Sequence, residues 1–246
     1  MNLDNYWFLR IPTISKREIK TNKKYNKFFS PLSSNSRILE IWPGNGKLSC
    51  YIKDKFNIPD YNIHLLDSSS SVGELLKSQK ETLKFNIYIY DSIEFFLQTD
   101  IKFDFIILCH VMEHMSKEYI NQLVPILLNH LDAKWKILVE VPNFCNFPYW
   151  IKDCFGDYTH VTQFTQDSLA EAFLFNTNIP LKIKTYNARP QLNYHSPLEF
   201  IKSILGTISV FWSYIISRLL WGILWSRFQQ GYVSTPFIIM TIEKDE

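Results

Sequence analysis

The sequence predicts an α/β fold in which a mostly parallel sheet is covered by helices on both faces. Three observations carry that expectation. Seven short runs, RILEI, NIHLLD, FNIYIYD, FDFIILCHV, WKILVEVP, LKIKTYN and PFIIMTIEKD, read as strands, and the earlier ones show little of the polar alternation of a sheet with one wet face. Mixed segments of helical character, KLSCYIKDKF, SVGELLKSQKETL and SIEFFLQ, separate the first four, which is the rhythm of β-α-β units. The first run feeds a glycine-bearing turn, Glu40-Ile41-Trp42-Pro43-Gly44-Asn45-Gly46, immediately before the first helix.

With 246 residues, 46% of them hydrophobic and 16% aromatic, the chain can bury one large core, which excludes a disordered protein. A formal net charge of +2 argues against nucleic acid as a partner and against an acidic tail. Lys16, Arg17, Lys20, Lys23, Lys24 and Lys27 are nevertheless crowded together, so residues 1–36 read as a basic helical leader ahead of a domain over 37–246. That cluster is either a solvated helix face or a surface drawn to anionic head groups, at about 1 kcal/mol per basic residue near a membrane. Cys50, Cys109, Cys145 and Cys154 lie far apart without a C-x-x-C pair, which favours a reduced, cytoplasmic setting over a zinc site or disulfide framework. The first twenty residues lack the pattern of a secretory signal, so the chain is expected to remain unexported.

A strand running into a glycine turn and then a helix offers backbone N–H groups to a ligand that approaches the main chain closely. The dinucleotide frame G-x-G-x-x-G fails here, with Ser49 in its last position when read from Gly44, so nicotinamide binding has little support. The second strand ends in Asp67, followed by Ser68, where a carboxylate can accept both hydroxyls of a ribose. The third ends in Asp91, followed by Ser92. Three strand-end acids, Glu40, Asp67 and Asp91, suit a ligand with an amine, a ribose and an adenine. For Asp67 alone, a helix N-cap is the competing reading.

At these residues the sequence resembles the class I S-adenosylmethionine-dependent methyltransferases, whose first motif is typically E/D-x-G-x-G-x-G. The resemblance spans roughly Arg37 to Glu171 and both final strands. It implies a Rossmann-like fold with a seven-stranded, mostly parallel sheet, and S-adenosylmethionine as cofactor. By that resemblance Gly44 and Gly46 line the methionine and ribose, Asp67 with Ser68 binds the ribose hydroxyls, and Asp91 with Ser92 holds the adenine edge. Trp42 stands where the family has its first glycine and reads as an indole walling the methionine end. Pro43 is expected to keep Trp42 in extended geometry.

FDFIILCHVMEHM resembles the H-V-L-E-H segment of small-molecule and glycan methyltransferases and is expected to end a strand and begin a helix. His110, Glu113 and His114 stand at i, i+3 and i+4, which a helical turn would bring to one face. One reading is a divalent metal site, by likeness to the E-x-x-E-H segment of ubiquinone-type O-methyltransferases, with His110 in place of the first acid. The other puts His110 beside the cofactor and gives Glu113 and His114 structural hydrogen bonds. The following stretch, VPNFCNFPYWIKDCFGDYTHVTQFTQDSL, resembles a pattern of methyltransferases encoded with bacterial surface-polysaccharide genes, through Val141, Pro142, Asn143, Gly156, Asp157, Thr159, His160, Phe164, Thr165, Ser168 and Leu169. It implies a glycan or lipid-linked glycan acceptor. His160 is then the general base or a substrate-orienting group, with Asp157 as its orienter and His110 and His114 alongside. Asp167 is expected to cap the helix over DSLAEAF.

Between the last two strands lies a long apolar insertion, Pro197 to Gly231. Ser203 to Ser217 carries no charge, but Arg218 interrupts the run short of the roughly 20 residues a membrane span needs. A small-and-polar stripe of Gly206, Ser209, Ser213 and Ser217 opposes an apolar face of Phe200, Ile204, Ile208, Phe211 and Ile215. The helix either meets a membrane surface through 198–228 or is buried against the domain or a second copy of the chain. In either case the insertion opens on the cofactor edge and walls the acceptor cleft. The expected activity is O-methylation of a sugar, or its phosphorylated substituent, in surface-polysaccharide (capsule or O-antigen) synthesis. The alternatives are methylation of a small quinone-type metabolite, marked by a metal at His110, Glu113 and His114, and a non-catalytic scaffold.

Overall fold

Strands that are apolar on both sides must be covered on both sides, and the chain meets that demand with one central sheet. In the computed structural model, residues 25–29, 32–79, 82, 84–145, 157–188, 208, 212, 215 and 237–244 are described. Seven strands, β1 (Ile38–Ile41), β2 (Ile63–Asp67), β3 (Asn86–Ile89), β4 (Phe103–Cys109), β5 (Leu131–Pro142), β6 (Leu181–Ala188) and β7 (Phe237–Lys244), form a sheet in the order β3-β2-β1-β4-β5-β7-β6. The pairs among β1 to β5 are parallel, and β7 runs antiparallel between β5 and β6. This is the mostly parallel, seven-stranded sheet expected from the sequence. The strand order reverses between β1 and β4, so a crevice opens beyond their carboxyl ends.

Neighbouring residues of each strand serve opposite cores. Leu39 and Ile41 of β1 pack with Ile106 and Leu108 of β4, Val139 of β5 and Leu123 and Leu127 of a helix on one face. Ile38, Leu65, Ile107 and Leu138 pack with Ile52 and Leu76 on the other. Phe28 and Phe29, just ahead of the domain, join this second core, with Phe29 edge-on to Phe105 at 5.4 Å between centroids. Tyr25 is in 3-10 conformation and residues 26–29 form a turn and bend, while residues 1–24 of the expected helical leader lie outside the described residues.

Among the described residues, helices α1 (Lys47–Phe56), α2 (Ser70–Ser78), α3 (Ser92–Leu97), α4 (Lys117–Asn129) and α5 (Gln166–Leu174) flank the sheet. Except for α1, which starts behind Gly46, their starts follow short side chains that take up orphan N–H groups. Ser69 accepts from Val72 N at 3.3 Å, and Ser116 from Tyr119 N at 3.2 Å. Asp167 does not cap α5. Thr165 does, accepting from Ser168 N at 3.1 Å while Ser168 Oγ accepts from Thr165 N at 2.9 Å, a reciprocal pair that an acid inside the first turn cannot make. The helix expected directly after β4 is also displaced: a single 3-10 turn, Met112–His114, comes first, and α4 begins only behind its Ser116 cap.

The apolar insertion lies outside the described residues except for Ile208, Trp212 and Ile215, which are helical, with Ile208 and Trp212 exposed. Among the described residues no helix is long and apolar enough to cross a membrane. Cys50, Cys109 and Cys145 form no disulfide among the described residues, and Cys154 lies outside them.

One buried residue makes the fold acid-sensitive. His64 of β2 lies flat against Tyr88, centroids 5.8 Å apart, and edge-on to Phe103 at 5.2 Å. Burial, aided by Arg37, holds its pKa down at about 4. The unfolded chain therefore binds the extra proton first, and stability present above pH 6.5 is lost as the pH falls from 6.5 towards 4. The loss expected from this group is at most about 3 kcal/mol. Urea unfolding at pH 7 and pH 4.5 should show that loss in the wild type and a smaller one in His64→Phe; equal losses in both proteins would refute the assignment.

Candidate active site

The carboxyl ends of β1 to β4 meet on one edge, and the glycine turn after β1 is its centre. Trp42 donates its N–H to Leu66 O at 2.7 Å, which keeps it in register with β2, yet its φ is 53°. The expected extended geometry is not adopted. The chain must turn at once so that Pro43 O can accept from Gly46 N at 2.9 Å, and that reversal outweighs the preference imposed by the following proline. Gly44 and Gly46 are also left-handed, with φ of 56° and 70°. They differ in their surroundings. A Cβ on Gly44 would meet nothing within 4 Å, whereas one on Gly46 would come within 2.8 Å of Thr82 Cγ2 and 3.2 Å of Leu76 Cδ2. Gly44 thus presents bare backbone to open space, and Gly46 lets the start of α1 sit against α2.

The strand-end acids are already engaged with their own backbone. Glu40 is buried, and its Oε2 accepts from Ser49 N at 3.2 Å and from Ser49 Oγ, tying β1 to the first turn of α1. Burial raises its pKa to about 7 against the lowering effect of these bonds. Asp67 is buried and accepts from Ser69 N at 2.8 Å, while Ser68 between them is exposed. Asp91 caps α3, accepting from Ile93 N at 2.9 Å, and takes a second bond at 2.8 Å from the Tyr119 hydroxyl; Ser92 is buried behind it.

His110 follows β4 with φ of 57°, its N–H donating to Glu140 O at 2.8 Å. Its ring lies between two buried carboxylates, 3.3 Å from Glu113 Oε1 through Nδ1 and 3.3 Å from Glu140 Oε1 through Nε2. Burial opposes the charge, but the two carboxylates outweigh it and raise the pKa to about 10. The ring keeps 44% of its side-chain surface, so solvent screens part of this pairing.

His114 belongs to a different group. Its ring is 5.9 Å from that of Trp42 and 4.8 Å from that of His160. Its Nδ1 lies 3.2 Å from Thr159 O and 2.9 Å from Thr159 Oγ1, and that hydroxyl donates to Asp157 Oδ1 at 2.7 Å. Both Thr159 oxygens must then accept, which assigns the ring proton to Nδ1 and the lone pair to Nε2. Burial lowers the pKa of His114, favouring this neutral tautomer. The segment 157–162 reaches the turn after β4 because Val161 N and Thr162 N both donate to Glu113 O, at 2.8 and 3.0 Å, and Thr162 Oγ1 donates to Met115 O at 2.7 Å.

Two expected groupings are therefore redrawn. His160 Nε2 is 4.0 Å from Asp157 Oδ2, beyond hydrogen-bond length, so no base-and-orienter pair is formed; Asp157 acts through Thr159 on His114 instead. The metal-type trio is not His110, Glu113 and His114 but Glu113, His114 and His160, whose donor atoms all lie within 4.8 Å of one another. His110 is drawn off by Glu140. The sequence reading did not single out Glu140 or Tyr119, and gave Thr159 no role beyond motif membership. The available signal for Glu140 was one acid inside the otherwise apolar stretch Ile137–Pro142 that ends this strand.

Comparison with known proteins places the fold. No family model matches the chain, and no curated protein does. Many solved structures do. The chain is similar to a S-adenosylmethionine-dependent methyltransferase from Archaeoglobus fulgidus, 16% identical with a TM-score of 0.64 over 98% of this chain and 100% of that one. It is similar to the plantazolicin methyltransferase BamL, whose structure holds S-adenosylhomocysteine and a substrate analogue: 14% identity, TM-score 0.59, covering 100% and 95% of the two chains. A third similar structure is phosphoethanolamine N-methyltransferase 2 of Haemonchus contortus with S-adenosylmethionine, at 14% identity and TM-score 0.56, matched over 92% of this chain and 53% of that one. The fold is that of the class I methyltransferases, as expected from the sequence.

The left-handed tryptophan can be tested without any ligand. A side chain at positive φ costs about 1–2 kcal/mol that glycine does not incur. Trp42→Gly should therefore be more stable than Trp42→Ala by about 1 kcal/mol in denaturant unfolding, reversing the usual order; equal stability, or alanine ahead, would show that the turn does not impose this conformation.

Proposed function

We propose that the chain is an S-adenosylmethionine-dependent O-methyltransferase acting on a hydroxyl of a surface-polysaccharide sugar or its lipid-linked precursor. The observation that carries the reading is the gathering of Gly44, Gly46, Asp67 and Asp91 on one sheet edge, with the Trp42–His114–His160 ring cluster beside it. The residues fit the cofactor: Gly44 offers unobstructed backbone, and Asp67 and Asp91 supply acceptors at the ends of neighbouring strands. Bound there, S-adenosylmethionine would supply an electrophilic methyl group.

The chain's own task is alignment, which is worth roughly 7 to 11 kcal/mol in favourable cases. Trp42 walls the methionine end and His160 orients the acceptor hydroxyl. Because the Asp157 carboxylate stands 4.0 Å from the His160 ring, beyond hydrogen-bond length, orientation is favoured over proton abstraction by an Asp–His pair. A non-catalytic scaffold is disfavoured by Trp42 and His110, since left-handed bulky residues cost stability that a binding role alone does not require. The quinone-type reading loses its discriminator, because His110 does not join Glu113 and His114 in one ligand set. A glycan acceptor is supported by the likeness of 141–169 to methyltransferases encoded with polysaccharide genes. The exposed Ile208 and Trp212 suit an enzyme working at the inner face of the cytoplasmic membrane.

Calorimetry with S-adenosylhomocysteine is the first test. Saturable binding should be seen, and Asp67→Asn should weaken it about tenfold or more, the value of a hydrogen bond to a charged group. Absence of affinity would leave the scaffold reading in its place. With labelled cofactor and nucleotide-sugar or lipid-linked glycan acceptors, His160→Ala should bind cofactor normally yet transfer little label; unchanged turnover would remove His160 from the mechanism.

A further inference from the structure

We propose that Glu113, His114 and His160 form a binding site for one divalent cation of the zinc type. Glu113 is 2% exposed, its Oε1 engages His110 Nδ1, and among the described residues no donor reaches its Oε2. A carboxylate oxygen buried without a partner is costly unless something positive or protic completes it. A carboxylate oxygen of Glu113 and one ring nitrogen each of His114 and His160 lie within 4.8 Å of one another. His114 is prepared as a ligand: a backbone carbonyl and the Thr159 hydroxyl fix its proton on Nδ1 and aim the lone pair from Nε2, the outer arrangement that metal-binding imidazoles characteristically show. Asp157 extends that arrangement by accepting from Thr159.

The donor set is two imidazoles and one carboxylate. It matches zinc sites with three protein ligands and an open fourth position, at ligand distances of about 2.0–2.2 Å. Binding needs the donors to close from 4.8 Å to about 3.5 Å of one another, which side-chain rotation can supply. The set differs from the i, i+3, i+4 trio of the turn itself, because its third member comes from the 157–162 segment latched onto Glu113 O. Trp42 packs on His114, one of the three donors, and a hydroxyl bound at the open fourth position would be polarised and lose its proton to water more readily. That role rests on the proposed methyltransferase activity; the cation site does not.

The test is titration of the full chain, stripped with chelator, with ZnCl2 in the absence of cofactor and acceptor. One equivalent should bind. Substituted Co2+ should give the intense visible bands of a four-coordinate site with nitrogen ligands. Glu113→Gln and His160→Gln should each abolish saturable binding, Thr159→Val should weaken it about 10–100-fold by freeing His114, and His130→Gln should leave it unchanged. Circular dichroism melts confirm that each variant is folded. No binding by the wild type, or binding that survives both Glu113→Gln and His160→Gln, would overturn the site. Binding of S-adenosylhomocysteine is measured separately, so loss of the cation site and loss of the methyltransferase reading give different results.

Discussion

Two carboxylates buried at the end of the sheet, Glu113 and Glu140, share the imidazole of His110, and the geometry of the site depends on that arrangement. An unpaired buried carboxylate is far costlier than one left-handed residue, so His110 takes φ of 57° to stand between the two. That turn ends β4 and forces the chain into the 3-10 turn Met112–His114 rather than directly into a helix. The turn presents Glu113 O outward, where Val161 and Thr162 bind it, and so draws His160 to His114. A charge pairing at one strand end thereby determines where a segment some forty-five residues later is anchored.

What was legible in the sequence follows from the range of each interaction. The strands and α1 could be read because burial on both faces writes itself as unbroken apolar runs, and a glycine turn marks its own place. Trp42 was misread because a rule about one neighbour, Pro43, was applied where a ladder bond to Leu66 and a tight turn to Gly46 both act. The cap of α5 was misplaced for a similar reason: Asp167 is a good capping residue, but Thr165 and Ser168 satisfy each other's backbone. The grouping of His110 with His114 assumed α-helical spacing through a stretch whose first residue is not helical. The link from Asp157 to His160 assumed that nearness along the chain selects the partner. Glu140 was invisible as a site residue because nothing local distinguishes a strand acid that faces an imidazole from one that faces solvent.

Strain and charge point to the same edge of the molecule. Trp42 and His110 end adjacent strands, β1 and β4, and both are bulky residues in a conformation that glycine would occupy freely. At about 1–2 kcal/mol each, their cost is small beside the burial of Leu39, Ile41, Ile106 and Leu108 next to them, so the fold tolerates it. Tolerance does not explain retention. Both residues hold aromatic rings at the mouth of the crevice: the indole packs on His114, and the imidazole stands edge-on to Phe237 at 5.1 Å.

The charges close the argument. Counted formally, Glu113, Glu140 and His110 carry two negative charges against one positive, and His114 adds none because burial favours its neutral form. This group of three therefore counts one negative charge more than positive, and the Oε2 of Glu113 lies within it without a hydrogen-bond partner among the described residues. The proposed sulfonium cofactor would bring positive charge to the neighbouring strand ends, but a buried carboxylate oxygen gains most from a partner in direct contact. The proposed cation between Glu113, His114 and His160 would satisfy that oxygen at contact distance, whereas a sulfonium held at the ends of β1 and β2 would act only through space. The two are complementary rather than competing, because the first completes a ligand set and the second lowers the residual field in which that set lies.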